Sequence, residues 1–204
     1  MENIIENNII KKILDESYKT NSMHVSYSII DNDLFVLHIY NPNHDKLVIN
    51  DNNRDFFEKL TNMLFNKNER SKGCFNHQQS NTSFLYNSAL DIVLNHYLGI
   101  EYAFILVETK NMNPISINCC EKNYIYNVCT NFDNRSQGNM EKLLNHFFNL
   151  VEQNKLKNGS HNEILLDVVI VNPDYKSVRE YYEKKYNFIF LSGDNNKTIL
   201  KKII

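Results

Sequence analysis

The sequence has no apolar run that approaches the roughly 20 residues of a membrane-spanning helix. Its first ten residues, MENIIENNII, are acidic and rich in asparagine. They lack the basic start and the small-residue end of a signal peptide. We therefore expect a cytoplasmic protein that does not insert into a membrane.

An excess of basic charge is also missing. The chain carries 22 Lys and Arg residues against 24 Asp and Glu residues, which gives a net charge of −2. A nucleic-acid-binding surface needs clustered Lys and Arg, so we expect no nucleic-acid partner. The length of 204 residues and the hydrophobic content of 42% are typical of one soluble domain with its own core.

Cysteines are few, and their spacing fits neither a disulfide framework nor a metal site. The sequence contains no CxxC, and Cys119 and Cys120 are adjacent. No histidine stands at ligand spacing beside the four cysteines. We expect reduced, half-buried thiols and no bound metal.

The hydrophobic periodicity predicts an α+β domain with the element order α, ββ, α, α, βββ, α, β, α, ββ. Alternating apolar and polar residues over 24–30, followed by a second strand-like segment over 34–40, predict a hairpin. The apolar run EILLDVVIV predicts a strand that is buried on both faces. The predicted helices cover about 2–18, 53–65, 82–98, 138–154 and 177–186, and the predicted strands cover 24–30, 34–40, 102–109, 114–120, 124–130, 163–171, 187–192 and 197–204.

The stretch NFDNRSQGNMEKLL, residues 131–144, stands where a polar loop becomes a strongly amphipathic helix. Gly138 would let a ligand approach the backbone closely, and Arg135 adds a cation beside the positive end of the helix dipole. That combination suits a pyrophosphate. The stretch is neither a Walker loop, which needs Gly-Lys-Ser/Thr, nor a three-glycine dinucleotide fingerprint. On the residues alone, a plain polar helix start with a surface arginine remains an alternative.

Together with its context, this stretch resembles the acetyl-CoA-binding motif of the GNAT acetyltransferase superfamily. In that motif an Arg or Gln, two variable residues, a Gly, one variable residue and a Gly or Ala open a helix. Arg135 and Gly138 match the motif, whereas Met140 replaces the final small residue, so its side chain must point away from the phosphates. The segment SVREYYEKKYNFIFL is similar to the family's next helix, with Asn187 in a glycine place and one extra residue between Tyr182 and Phe188.

The resemblance implies a mostly antiparallel mixed sheet with two splayed parallel strands, flanking helices and an extra N-terminal helix. It implies one domain over 1–204, in which 1–50 form a helix and hairpin extension and 51–204 form the acetyl-CoA-binding core. The cofactor-binding residues that it implies are Val128, Cys129, Thr130, Arg135, Ser136, Gln137, Gly138, Asn139, Met140 and Asn172. Tyr182 is implied as the acid that protonates the leaving thiolate, and Tyr181 competes with it if the extra residue precedes this position.

The function that the resemblance implies is transfer of an acetyl group from acetyl-CoA to an amine acceptor, which is either a small molecule or a protein. The alternative is a non-catalytic module that binds acyl-CoA. Neither Glu108 nor Glu121, and neither His38 nor His146, is assigned as the general base, because all four fit ordinary structural positions. A homodimer is compatible with the sequence.

Overall fold

The computed structural model describes residues 23–45, 49, 51, 53–65, 101–153, 155–156, 163–169, 175–193 and 197–204. The predicted helices over 2–18 and 82–98 and the predicted contact residue Asn172 lie outside these residues. Side chains at 168–169, 175–177 and 197 also lie outside them.

Eight strands form one mixed sheet in the order β1-β2-β3-β4-β5-β6-β8-β7. All neighbouring pairs are antiparallel except β5 and β6, which are parallel. The predicted α+β class is therefore confirmed. The strands are β1 His24–Ile29, β2 Leu34–Tyr40, β3 Tyr102–Glu108, β4 Asn113–Glu121, β5 Tyr124–Thr130, β6 Glu163–Val169, β7 Ile189–Gly193 and β8 Lys197–Ile203.

Three described helices flank this sheet: α1 Arg54–Phe65, α2 Asn139–Glu152 and α3 Tyr175–Tyr186. Alternate residues of β2 face opposite sides, so that Phe35 packs under α1 and Val36 packs under α2. The sheet thus has two cores, one under α1 and a second one under α2. The apolar stripe that the sequence predicts on α2 is buried in this second core, together with residues of α3. No helix in the described ranges is long and apolar enough to cross a bilayer.

The prediction that β6 is buried on both faces is wrong for the side chains that the structure describes. Ile164 and Leu166 are buried, whereas Glu163, Leu165 and Asp167 are only half-buried. Side chains along the run therefore alternate between buried and half-buried. The sequence hides this alternation because Leu165, on the half-buried face, is also apolar. One face of β6 packs on the core, and the other carries Asp167.

The expectation of reduced, half-buried thiols is right about the redox state at Cys119 and Cys120 but wrong about their burial, which is complete, and the redox state differs at a third position. Cys119 and Cys120 carry buried thiols, and burial raises the pKa of both. Cys129, by contrast, is disulfide-bonded. Sequence spacing could not show this bond, because the fold decides which sulfurs meet.

Two histidines that are 108 residues apart meet above the second core. The Nε2 atoms of His38 on β2 and His146 on α2 lie 2.9 Å apart, and the ring of Phe104 packs edge-on against His38. Burial, and then the proximity of His146, lowers the pKa of His38 to about 4, and burial lowers the pKa of His146. The pair is therefore a neutral hydrogen bond at pH 7.

This pair predicts a loss of stability in acid. A histidine whose pKa is lowered on folding binds fewer protons in the folded than in the unfolded state, so stability falls as pH drops from about 6.5 to about 4. The shift corresponds to about 3 kcal/mol at the acid end. In urea denaturation from pH 4 to 7, His38→Gln should lose this part of the pH dependence. The exposed His24→Gln is the control, and equal pH slopes for wild type and His38→Gln would contradict the prediction.

Candidate active site

Strands β5 and β6 begin as neighbours and then separate. They pair only at Tyr124 with Leu165 and at Ile125 with Leu166, although each strand has seven residues. The Leu165 amide donates to the Asn123 carbonyl at 2.9 Å, which fixes the closed end. We call the opening beyond Ile125 and Leu166 the β5–β6 gap.

A β-bulge turns the backbone of β5 toward this gap. The register with β4 shifts between Cys119 and Cys120, which leaves Tyr126 as an extra residue. Beyond the bulge the Asn131 amide donates to the Ile115 carbonyl, while Ser116 and Thr130 are directly opposite. Ser116 and Thr130 are therefore a non-hydrogen-bonded pair of the antiparallel ladder. The backbone N–H and C=O of Thr130 point away from β4, and so do those of Val128, two residues earlier.

The loop over residues 131–138, which we call the cofactor loop, connects β5 to α2. It begins with a short 3₁₀ turn, Phe132–Asn134, and Asn131 Oδ1 accepts from the Asp133 amide at 3.4 Å. Ser136 and Gly138 both have positive φ angles, of 62° and 74°. These conformations fold the loop tightly against the first turn of α2.

The N-terminus of α2 has no side-chain cap. Gly138 occupies the cap position, and within the described residues no acceptor receives the amides of Asn139, Met140 and Glu141. In the part of the chain that the structure describes, a Cβ built on Gly138 would have one contact beyond its chain neighbours and the helix backbone, Glu141 Oε2 at 4.0 Å. Unpaired amides at the positive end of a helix beside open space form an anion-binding arrangement.

Arg135 lies beside the same opening. Its side chain is exposed, its Nε donates to the Thr130 carbonyl at 3.3 Å, and its guanidinium lies 5.1 Å from the centroid of the Phe132 ring. The bond to Thr130 confirms that this carbonyl faces away from β4. The cation is thus held where the gap meets the cofactor loop.

The structure brings most of the predicted cofactor-binding residues to this corner. The backbone groups of Val128 and Thr130 face the gap, and Ser136, Gln137 and Asn139 surround Gly138. Cys129 does not face the gap, because its side chain packs in the core under α1 and its backbone is directed at β4. The Met140 side chain packs against the core under α2, which is compatible with the prediction that it points away from the phosphates.

Tyr182 lies in the core between α2 and α3. It is 8% exposed, and its ring contacts those of Tyr181, Tyr186 and Phe188. Burial, and then the proximity of Tyr181, raises its pKa well above the usual value. Tyr181 is 41% exposed, and its hydroxyl lies 3.4 Å from that of Tyr186. Asn187, which stands in the glycine place, has a left-handed conformation with a φ of 58°.

A cavity of about 460 Å³ borders the cofactor loop on the side of α1. It is rich in asparagine and contains two carboxylates against a single lysine, so it suits a polar ligand better than a phosphate. Its lining is Lys59, Asn62, Met63, Glu108, Asn113, Pro114, Ile115, Asn131, Asp133 and Asn134.

Sequence reasoning missed the residues at the closed end of the gap. Tyr124, Tyr126 and Asp167 meet there, because β5 and β6 are neighbours at that end. Tyr124 and Tyr126 fit an ordinary strand pattern, and Asp167 lies inside an apolar run. Asp167, an acidic residue in the interior of that run, is a signal that could have indicated them.

Comparison with known proteins identifies the fold. No protein-family model and no curated protein sequence matches the chain. Among solved structures, it is similar to apo FdhC, a nucleotide-linked sugar GNAT, at 12% identity and a TM-score of 0.52 over 84% of this chain and 87% of that one. It is also similar to the ribosomal-protein-S5-alanine acetyltransferase from Vibrio fischeri, at 14% identity and a TM-score of 0.51 over 86% and 96% of the two chains. The strand order, the parallel pair and these likenesses show that the chain has the fold of the GNAT acetyltransferases.

Proposed function

We propose that this chain is an N-acetyltransferase that moves an acetyl group from acetyl-CoA to an amine acceptor by direct attack in a ternary complex. The observation that carries this proposal is the β5–β6 gap, which opens beside the uncapped N-terminus of α2. The gap offers backbone groups of Val128 and Thr130 to an extended pantetheine arm. The amides at the start of α2 and Arg135 offer a site for the diphosphate.

The residues present fit that ligand. The open space at Gly138 would admit phosphate oxygens to the backbone, and the exposed guanidinium of Arg135 can make a charge-assisted hydrogen bond. Asn172, which follows β6 in the sequence, stays a predicted contact to the arm.

The chemistry needs few protein groups. The acceptor nitrogen attacks the thioester carbonyl, the C–N bond forms and the C–S bond breaks. The ammonium form of the acceptor gives one proton to solvent before the attack, and the nitrogen then gives a second proton to the leaving sulfur, so that the products are the amide and the free CoA thiol. Holding the two substrates together supplies much of the rate, and an amide of β5 turned into the gap can hold the oxyanion. Tyr182 is the proposed donor to the sulfur.

The alternative is a module that binds acyl-CoA without turnover. It would need the cofactor loop and Arg135 but not Tyr182. The two similar structures are named for a nucleotide-linked sugar and for ribosomal protein S5, so they indicate no common acceptor.

Two measurements on the purified chain test the proposal. Calorimetry with acetyl-CoA should show saturable binding, which Arg135→Gln weakens. A thiol assay should show CoA release that depends on added amine. Binding without amine-dependent release would favour the module, and absence of binding would refute both functions.

A further inference from the structure

The closed end of the β5–β6 gap contains a carboxylate and two tyrosine rings that the proposed function leaves unused. The last paired positions of the two strands are Ile125 and Leu166. Tyr126 and Asp167 are the next residues, so they stand on opposite sides of the point where the strands part.

These side chains lie on the sheet face opposite α2. Ile125, Ile164 and Leu166 pack in the core under α2, so the residues that alternate with them on β5 and β6 face the other way. The Tyr124 hydroxyl donates to Asp167 Oδ1, and the Tyr124 and Tyr126 rings lie 4.6 Å apart at 31°. The group thus opens away from the helix whose N-terminus would hold the diphosphate.

Its position suits the reacting end of the cofactor. An arm that enters beside the cofactor loop and follows β5 inward would pass Thr130 and Val128 and reach Tyr126. The distance from Thr130 to Tyr126 is about 13 Å of strand, comparable with an extended pantetheine arm. The thioester would then lie next to Asp167 and Tyr126.

The chemistry of the group favours a cation. Tyr126 is 41% exposed, so part of its ring is open to a ligand, and Asp167 is half-buried. An aromatic face attracts an ammonium group, and a carboxylate binds it through a charge-assisted hydrogen bond. The hydroxyl of Tyr126 lies 3.5 Å from Glu121 Oε2, which adds a second carboxylate at the rim.

We propose that Asp167 and the ring of Tyr126 bind the ammonium group of the acceptor, so that the chain selects aliphatic primary amines, which are protonated at neutral pH. This inference rests on the proposed acetyltransferase function. Tyr124 is a positioning residue, since its hydroxyl holds the carboxylate of Asp167 at the gap.

The test uses pairs of acceptors of similar size, one an alkylamine and one an arylamine, such as cyclohexylamine and aniline. Arylamines are neutral at pH 7. Asp167→Asn should raise the KM for alkylamines about 10- to 100-fold, the cost of losing a hydrogen bond to a charged group. The KM for arylamines and the affinity for acetyl-CoA should not change. Tyr126→Leu should weaken alkylamine binding, and Tyr126→Phe should preserve it.

The matched control is Glu163→Gln. Glu163 lies on the same strand and the same face as Asp167, but it pairs with Lys201 at 3.0 Å, away from the gap. The Glu163→Gln variant should leave the KM for alkylamines and the KM for arylamines unchanged. Equal KM values for wild type and Asp167→Asn would overturn the inference, as would a chain that binds acetyl-CoA but acetylates no alkylamine. If calorimetry detected no binding of acetyl-CoA to the wild type, the proposed function itself would be refuted instead.

Discussion

Replacing Gly138 by valine is expected to weaken acetyl-CoA binding about 10- to 100-fold, since phosphate oxygens would lose hydrogen bonds worth about 1.5–3 kcal/mol. The glycine caps α2, and among the described residues other than its chain neighbours and the helix backbone, only Glu141 Oε2 lies near the position of its missing Cβ, at 4.0 Å. A valine side chain would fill the space in which we place the diphosphate. Calorimetry with acetyl-CoA measures the effect.

Backbone strain must be separated from this crowding. Gly138 has a φ of 74°, where a residue with a Cβ costs about 1–2 kcal/mol, so Gly138→Val should also lower stability. Gly138→Asn crowds the same space with less strain and should still weaken binding. Asn187→Ala places strain at another left-handed position, at the end of α3, and should leave the affinity unchanged. Unchanged affinity in both Gly138 variants would contradict the assignment of the cofactor loop.

Local signals in the sequence predict most of the elements around the site. The β1–β2 hairpin, the meander of β3 to β5 and the apolar stripe of α2 all follow from periodicity within a few residues. Gly138 is predictable for the same reason, because a glycine that opens an amphipathic helix is a local pattern. The bounds of α2 differ from the prediction by no more than two residues.

The rest depends on pairing between distant segments. The bulge at Tyr126 appears only in the register of β5 against β4, and no turn residue marks it. The contact of His38 with His146 depends on how α2 crosses β2, and the bond from Tyr124 to Asp167 depends on which strand neighbours β5. Periodicity carries no information on such partners, so the contact of Tyr124 with Asp167 at the closed end of the gap is visible only in the fold.

Replacing Tyr182 by phenylalanine is expected to lower kcat about 10²- to 10³-fold, the usual cost of removing one hydrogen-bond donor to developing negative charge, with little change in acetyl-CoA affinity. Burial raises the pKa of this phenol, so it stays protonated throughout the assay range. A thiolate whose conjugate acid has a pKa near 8.5 is a weaker base than this phenolate, which makes full proton transfer unfavourable. We therefore expect Tyr182 to act chiefly as a hydrogen-bond donor to the sulfur, and kcat should show no loss at high pH from its ionisation.

The competing explanation for Tyr182 is that it only packs. Its carbonyl accepts from the Phe188 amide at 3.4 Å and its ring contacts Phe188, so it also holds the end of α3. Tyr182→Phe keeps both contacts, and thermal denaturation should show a nearly unchanged Tm. Tyr181→Phe is the matched control on the neighbouring residue. Loss of turnover in Tyr181→Phe alone would move the acid to that position, and full turnover in both variants would show that the sulfur leaves without a tyrosine donor.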